Sequence, residues 1–406
     1  LFSFLQYSLP LYAPVLNLLL LPLLPFIFLL GVLSLIFLHF PALLFLAKCL
    51  SRTLSILLQL FHKLIQLSLH LPYSSILLGK ISLSSLFLFL LLFYLFFLFP
   101  LNSILKRKYK IERERKETEM YRVLSFPYAK FYVLKANLFI VKNIFSFLFL
   151  GSIPLFLPSP PKNLEITAIY VGQGDGFLVR KGNFVLTIDN GSSSNKNFPE
   201  NTLLPYCKAK RIKKIQYALI THSDIDHTSG IQAILEEKEQ TNNYKVQIEN
   251  LILPVQAEED HRYDLLKRLA ANHGAKLLYW KNGNSIEYGN KIPLYSDKLN
   301  KKEPPRLSFH CYYPITNSPM EEANAHSLGC LLHYGKFSMI FTGDMPDVAE
   351  KEMLSAIKKE GQSPSVDIVK LAHHGSKTSS SPIFLSETNG KFALFSYGKN
   401  NRYGHP

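Results

Sequence analysis

The sequence predicts a multi-pass α-helical membrane segment followed by a soluble α/β domain. Three observations carry that class. Apolar runs long enough to cross a bilayer crowd the N-terminal part, and no acidic residue precedes Glu112. Beyond a proline-rich stretch, strand-like and helix-like segments alternate with ordinary charge. With 406 residues, 45 basic and 30 acidic, the chain is too long and too unevenly built for one small domain.

The membrane part, residues 1–105, holds "NLLLLPLLPFIFLLGVLSLIFL" (Asn17 to Leu38) and "SLFLFLLLFYLFFLFP" (Ser85 to Pro100). Both runs suit a hydrocarbon layer of about 30 Å, and neither shows the single apolar stripe of a buried core helix. From Pro41 to Leu71, Lys48, Arg52 and Lys63 interrupt the leucines at helical spacing. That pattern predicts one or two amphipathic helices on the membrane or lining a polar interior, with a tilted spanning helix as the competing reading. Residues 106–130 form a basic linker, richest over Lys106 to Arg122, which the positive-inside rule places in the cytoplasm. Residues 131–157 (Phe131 to Leu157) form a third span, with Lys135 and Lys142 snorkelling or facing other helices. A single crossing there puts everything after Pro158 outside the cytoplasmic membrane. The opening at Leu1, without Met or a charged leader, reads as the start of a piece of a longer protein.

The proline linker 158–163 lies within "LPSPPKN" (Leu157 to Asn163) and marks the boundary. Charge divides there too: residues 1–164 carry 16 basic against 4 acidic side chains, and the remainder 29 against 26. The basic excess is therefore a property of the membrane half, which excludes reading it as the signature of a DNA-binding soluble domain.

Residues 164–406 are long enough to bury a full core. Strand patterns run in order: "ITAIYVG", "FLVRKGNFVLTID" with a turn at Lys181-Gly182-Asn183, "IQYALIT", "NLILP", "CLLHYGKFSMIFTGD", "DIVKLAHH" and "FALFSYG". "SGIQAILEEKE", with its helix over Gly230 to Glu237, and "YDLLKRLAANHG" read as helical patterns. Four cysteines, Cys49, Cys207, Cys311 and Cys330, show no metal-ligand spacing. Three of them lie in this half, permitting at most one internal disulfide and requiring none.

"LITHSDIDHTSG" (Leu219 to Gly230) gathers His222, Asp224, Asp226 and His227 between the end of a strand and the start of a helix. Side chains two apart on such a loop turn toward one point, while Asp226 and His227 aim at a second point nearby. Two cations held close together is the arrangement that follows. Asp344 ends the strand "MIFTGD", and His373 and His374 end "VKLAHHGS". Imidazole with carboxylate suits Zn²⁺, Mn²⁺ or Fe. His333 alternates within a strand and reads as packing or surface, and His326 is a weaker ligand candidate. The glycines of "VGQGDG" either cradle phosphate or make a tight turn that brings Gln173 and Asp175 under the site.

In this order "THSDIDH", "FTGD" and "HHGS" resemble the metallo-β-lactamase superfamily, whose signature is His-x-His-x-Asp-His followed by His, Asp and His. "VGQGDGFLVR", "LTIDNG", "LAHHGSKTSSSPIFL" and "GKNNRYGHP" narrow the resemblance to the C-terminal domain of the ComEC family, membrane channels that import single-stranded DNA in natural competence. "PLYAPVLNLLLLPL" resembles the end of that family's competence domain. The resemblance implies an αββα sandwich with ligands on loops at one edge, the chain ending before the final helix of that fold.

It also implies two divalent metal ions, Mn or Zn, held among His222, Asp224, Asp226, His227, Asn324, Asp344, His373 and His374. Asp226 or Asp344 would bridge the ions and help orient the nucleophile for attack on phosphorus, and Arg402 and His405 would stand at the rim, a plain surface turn being the alternative for those two. Asp224 stands where the superfamily has a second His and Asn324 where it has another, changes that members of the family tend to share. The site becomes richer in oxygen, which favours harder ions such as Mn²⁺.

The implied function is DNA uptake across the cytoplasmic (inner) membrane. The outer domain would be a metal-dependent nuclease that degrades the strand not imported. DNA, membrane lipid, other competence proteins and a possible homo-oligomer are the implied partners. Two alternatives stand beside it: a non-catalytic DNA-guiding outer domain, and a membrane-anchored phosphodiesterase acting on envelope polymers.

Overall fold

The computed structural model describes residues 7–72, 74–81, 83–94, 160–236, 244–289, 305–315, 322–399 and 404. The basic linker, the span Phe131 to Leu157, and both Arg402 and His405 lie outside the described residues. The chain divides into two units, Leu1–Pro10 with Ile76–Ser159, and Leu11–Ser75 with Pro160–Pro406.

In the second unit, α1 (Ala13–Leu20) and α2 (Leu24–Leu38) form one apolar stretch, and α3 (Leu44–His70) follows a short turn at Pro41–Leu43. The stretches Ala13–Leu38, 26 residues, and Pro41–His70, 30 residues, are both long and apolar enough to cross a membrane. The Pro41 to Leu71 segment therefore folds as one helical stretch of spanning length, Pro41–His70. It keeps its amphipathic character: Lys48, Arg52, Ser55, Gln59, Lys63 and Gln66 are exposed, and at 3.6 residues per turn they share one arc of about 80°. The other side packs on α2, where Leu54 Cδ2 lies 3.7 Å from the position of a Cβ on Gly31. Buried Ser34 of α2 meets Ser51 Oγ at 2.6 Å and donates to Ala47 O at 3.3 Å, a polar contact that small residues permit where two apolar helices approach closely.

In the first unit, the described part of the Ser85 to Pro100 run is α4 (Leu83–Phe93). Residues 95–100 lie outside the described residues.

The Pro160–Pro406 part contains two six-stranded sheets. One runs β1 (Glu165–Ala168), β2 (Gly176–Lys181), β3 (Phe184–Asp189), β4 (Lys214–Leu219), β5 (Gln247–Pro254), β6 (Lys276–Trp280), in that spatial order. β1 to β3 are antiparallel and β3 to β6 parallel. The other contains β7 (Ser285–Tyr288), β8 (Leu307–Tyr313), β9 (Gly329–Tyr334), β10 (Phe337–Phe341), β11 (Ile368–Lys370) and β12 (Phe392–Leu394), again as neighbours in sequence order. Here β7 to β10 are antiparallel and β10 to β12 parallel.

One core fills the space between the sheets. Val179, Leu186 and Ile188 of the first meet Phe309, Leu332 and Phe341 of the second, all at 2% exposure or less. Strands covered on both faces need continuous apolar runs, and β3 is buried at every position. Helices α6 (Ile225–Leu235) and α7 (Asp264–His273) pack against each other and on the first sheet. The second sheet is covered by α8 (Asp347–Lys359) and α9 (Pro382–Thr388), through Met353, Ile357 and Phe384. The short α5 (Leu204–Ala209) precedes β4. The result is the αββα sandwich that the resemblance implied.

Three boundaries move. The helix expected from Gly230 begins at Ile225, so Asp226 and His227 occupy its first turn. "FALFSYG" pairs only over Phe392–Leu394 and "ITAIYVG" only over Glu165–Ala168. Three strands, β6, β7 and β8, and the helices α5, α8 and α9 are not marked by the sequence patterning. β7 is only four residues long, and β8 owes its pairing to neighbours distant in the chain.

Candidate metal centre

The parallel strands decide where side chains can meet. β3 ends at Asp189, β4 leads into His222, β10 into Asp344, and β11 into His374. Groups at the carboxyl ends of parallel strands face a common crevice. Here the crevice lies at one edge of the sandwich.

The backbone bends sharply to present these groups. Asp189 and Asn190 have φ of 56° and 110°, and His373 and His374 have φ of 48° and 53°. Left-handed conformations in consecutive non-glycine residues concentrate at functional sites. Gly174 and Gly191 allow the "VGQGDG" and "DNG" loops to touch the first turn of α6. A Cβ on Gly174 would come within 2.4 Å of Asp226 O, and one on Gly191 within 2.4 Å of His227 N.

His227 is the hub. Its Nδ1 lies 3.0 Å from Asp189 Oδ2, and its Nε2 faces Asp344 Oδ1 at 3.3 Å. Asp189 is itself fixed, accepting from Thr221 N at 2.8 Å and Thr221 Oγ1 at 3.0 Å. His222 turns Nδ1 to Thr221 Oγ1 at 3.1 Å and Nε2 toward Asp224 Oδ2 at 3.7 Å and Asp344 Oδ2 at 3.9 Å. His374 donates from Nδ1 to Ser396 O at 2.9 Å, which aims Nε2 at Asp344 Oδ2 (3.4 Å) and Asp226 Oδ2 (3.5 Å). His222 and His227 are fully buried, Asp344 is 3% exposed, and the Asp224 side chain is 48% exposed at the mouth.

Charges follow from this crowding. Burial pushes the His227 pKa down, but Asp344 and Asp189 outweigh it and hold the imidazole well above its usual range. His374 is likewise raised, with Asp226 and Asp344 overcoming burial. Burial alone would raise Asp344, yet His227, His374 and Lys370 keep its carboxyl well below the usual range. Asp226 is lowered too, as His374 and His227 outweigh burial. A contact with His222 lowers Asp224. This pocket strongly favours positive charge.

Four overlapping groups bring ligand atoms within 4.8 Å of one another: His222 with His227 and Asp344; Asp226 with His227 and His374; Asp175 with Asp189 and His227; Asp175 with Asp344 and His374. Lys370, buried beneath them, sorts these groups. Its Nζ rests on Asp175 Oδ2, donates to Gly343 O at 2.7 Å and lies 3.7 Å from Asp344 Oδ1. Its pKa is raised because Asp175 and Asp344 outweigh burial. The ammonium already neutralises Asp175, which leaves the first two groups to hold metal. Their donors fit a divalent ion: buried His222 Nε2, His227 Nε2 and Asp344 Oδ1 make no hydrogen bond among the described residues, a costly state that coordination relieves.

Of the eight ligands expected, His222, Asp226, His227, Asp344 and His374 converge, with Asp224 beside His222 at the mouth. His373 does not join these groups. It is half-buried, its ring centroid 6.2 Å from that of His374, and burial lowers its pKa. Asn324 sits in the short turn Ala323–His326 before β9. His326 stacks on Tyr263 and lies 3.5 Å from Asp260 Oδ2. Of the two readings of "VGQGDG", the tight turn fits: Asp175 lies under the cluster and Gln173 Oε1 accepts from Gly398 N at 3.0 Å. Asp189 and Lys370 were not anticipated. A lone lysine inside the apolar strand "DIVKLA" was the available signal, since a buried charge demands a partner.

Residues 169–242 match the model of the Metallo-beta-lactamase superfamily. ComE operon protein 3 of Bacillus subtilis (strain 168) is 28% identical over 259 residues, covering 60% of this chain and 29% of that protein. Competence protein ComA of Neisseria gonorrhoeae is 24% identical over 252 residues, 61% of this chain and 29% of that protein. Recombination protein 2 of Haemophilus influenzae is 25% identical over 256 residues, 63% of this chain and 27% of that protein. The chain thus matches less than a third of the length of each.

Proposed function

We propose that this chain, which is ComEC-like and carries a metallo-β-lactamase domain, serves DNA uptake, and that the domain hydrolyses phosphodiester bonds of the strand not imported. The names of its relatives support the uptake reading. One observation carries the hydrolytic reading: the Asp344 carboxylate stands between His222 on one side and His227 and His374 on the other, so candidate ligands for two ions flank it. In this reading the helices lie in the inner membrane, in contact with lipid, and the domain stands on its outer side.

When bound, a pair of divalent ions supplies Lewis acidity and neutralises charge on phosphate oxygens. Manganese and zinc both suit the mixed imidazole and carboxylate donors. The chain's own residues do the rest. Asp189 and the Ser396 carbonyl fix the orientation of His227 and His374 by engaging Nδ1 of each, the outer-shell support that sets ligand direction. Asp226, its side chain 19% exposed, faces both cluster and solvent, where its carboxylate orients the attacking water. Lys370 ties the loops bearing Asp175 and Asp344 together from below.

The test uses the full chain in detergent with labelled single- and double-stranded DNA, with and without Mn²⁺ or Zn²⁺, beside an Asp226→Ala, His227→Ala double variant. Metal-dependent cleavage that the variant loses supports the reading. A folded, metal-loaded chain that binds DNA without cutting it favours a guiding domain. A chain that takes up no metal overturns the mechanism.

A further inference from the structure

Two core cysteines are not used by the proposed reaction. Cys311 of β8 and Cys330 of β9 are Cα partners in antiparallel register, and both are fully buried in the core between the sheets. Cys311 N donates to Asn284 O at 2.9 Å, and Cys311 O accepts from Gly283 N at 3.0 Å. Both backbone groups of Cys311 therefore point away from Cys330, so the two residues form a non-hydrogen-bonded pair. In such a pair the Cα atoms are about 4.5 Å apart and the side chains project from the same face. That separation lies inside the range of about 4.4–6.8 Å that a disulfide accepts. The structure holds both as thiols: Cys311 Sγ donates to Tyr313 O at 3.1 Å, and burial, with Cys311 beside it, pushes the Cys330 thiol well up.

We propose that Cys311 and Cys330 close to a cross-strand disulfide when the domain matures in an oxidising compartment. The compartment rests on the proposed outer location; the pairing geometry does not. Two S–H bonds break and one S–S bond forms. Two electrons and two protons pass to a disulfide donor, either oxidised glutathione or a protein dithiol oxidase, whose own S–S bond opens to two thiols. Fully buried thiols are out of reach of an oxidant, so closure occurs while β8 and β9 pair, before the sheets close over them.

The bond would tie β8 to β9 next to the connection between them. The described end of that connection reaches the metal centre twice: Ser327 Oγ accepts from Asp344 N at 3.0 Å, and Leu328 N donates to Thr221 O at 3.1 Å. The tie would thus hold the segment that supports both Asp344 and the residue preceding His222.

The test produces the full chain in a bacterial inner membrane, blocks thiols with N-ethylmaleimide under denaturing conditions, and maps peptides without reduction. Exposed Lys196 is changed to Cys in a parallel chain and probed with a membrane-impermeant thiol reagent, which reports location independently. Labelling of Lys196→Cys from outside, together with a linked Cys311–Cys330 peptide that disappears in Cys330→Ser, supports the proposal. Outside labelling with both thiols free overturns it. If Lys196→Cys is not labelled from outside, the location reading fails. The chain unfolded in urea and returned to detergent with oxidised glutathione then decides alone: the Cys311–Cys330 link supports the geometry, and its absence overturns it.

Discussion

The metal centre and the α2–α3 hairpin solve the same problem in opposite ways. Each must place charged or polar groups beside apolar surface. The domain buries its charges and compensates them in place: Asp189 serves His227, and Lys370 serves Asp175. The hairpin instead collects Lys48, Arg52 and Lys63 on one exposed arc of α3 and commits the opposite side to α2. A charge without water needs a partner at hand, whereas a charge on an outward face needs only a polar neighbourhood. Removing one partner should therefore be severe in the first region and mild in the second.

The largest expected effect is at the ligands. Asp344→Ala removes the group shared by His222, His227 and His374, and should abolish both bound metal, read by elemental analysis, and metal-dependent hydrolysis. Gln59→Leu on α3 should leave metal content at one full complement; equal losses from both would end the contrast.

Next comes Lys370→Met, which strands Asp175 in the interior. Breaking a buried pair from one side costs about 3–5 kcal/mol, so the domain should melt far earlier by thermal scanning of the detergent-solubilised chain. Lys63→Met, on the exposed arc, should leave that transition where it was.

A smaller change sharpens the same comparison. Asp189→Asn keeps the shape but removes the charge behind His227, and should weaken metal affinity by roughly 10–100-fold; a titration that overlays the parent chain would count against the orienting role. Smallest is Ser34→Ala, which deletes the contact to Ser51 within the hairpin. Interhelical bonds of this kind average about 0.6 kcal/mol, so the expected shift in thermal stability in detergent is slight.

Much of this was legible in the residues. The apolar runs, the position of "THSDIDH" after a strand, and the later "FTGD" and "HHGS" motifs each depend on neighbours a few positions away, and local pattern reports such features well. The boundary of α6 was not, because Ile225 to Ser229 looks like a loop rich in turn-forming residues until Gly191 and Gly174 pack against its first turn. Of the neighbouring pair His373 and His374, which the motif leaves equivalent, only His374 joins the ligand groups.

By itself the sequence determined the apolar helices and the stretch in which ligands concentrate, since composition and short-range periodicity are properties of the chain alone. Only the tertiary structure decided which of those ligands meet. Asp189, Thr221, Asp344, Lys370 and Ser396 come from strands and loops far apart in the chain, and pairing into two facing sheets brings them to one edge. Registers and left-handed turns at the strand ends fix which atoms face the cluster. Such long-range pairings are settled by burial of the whole core, whose energy belongs to no local segment.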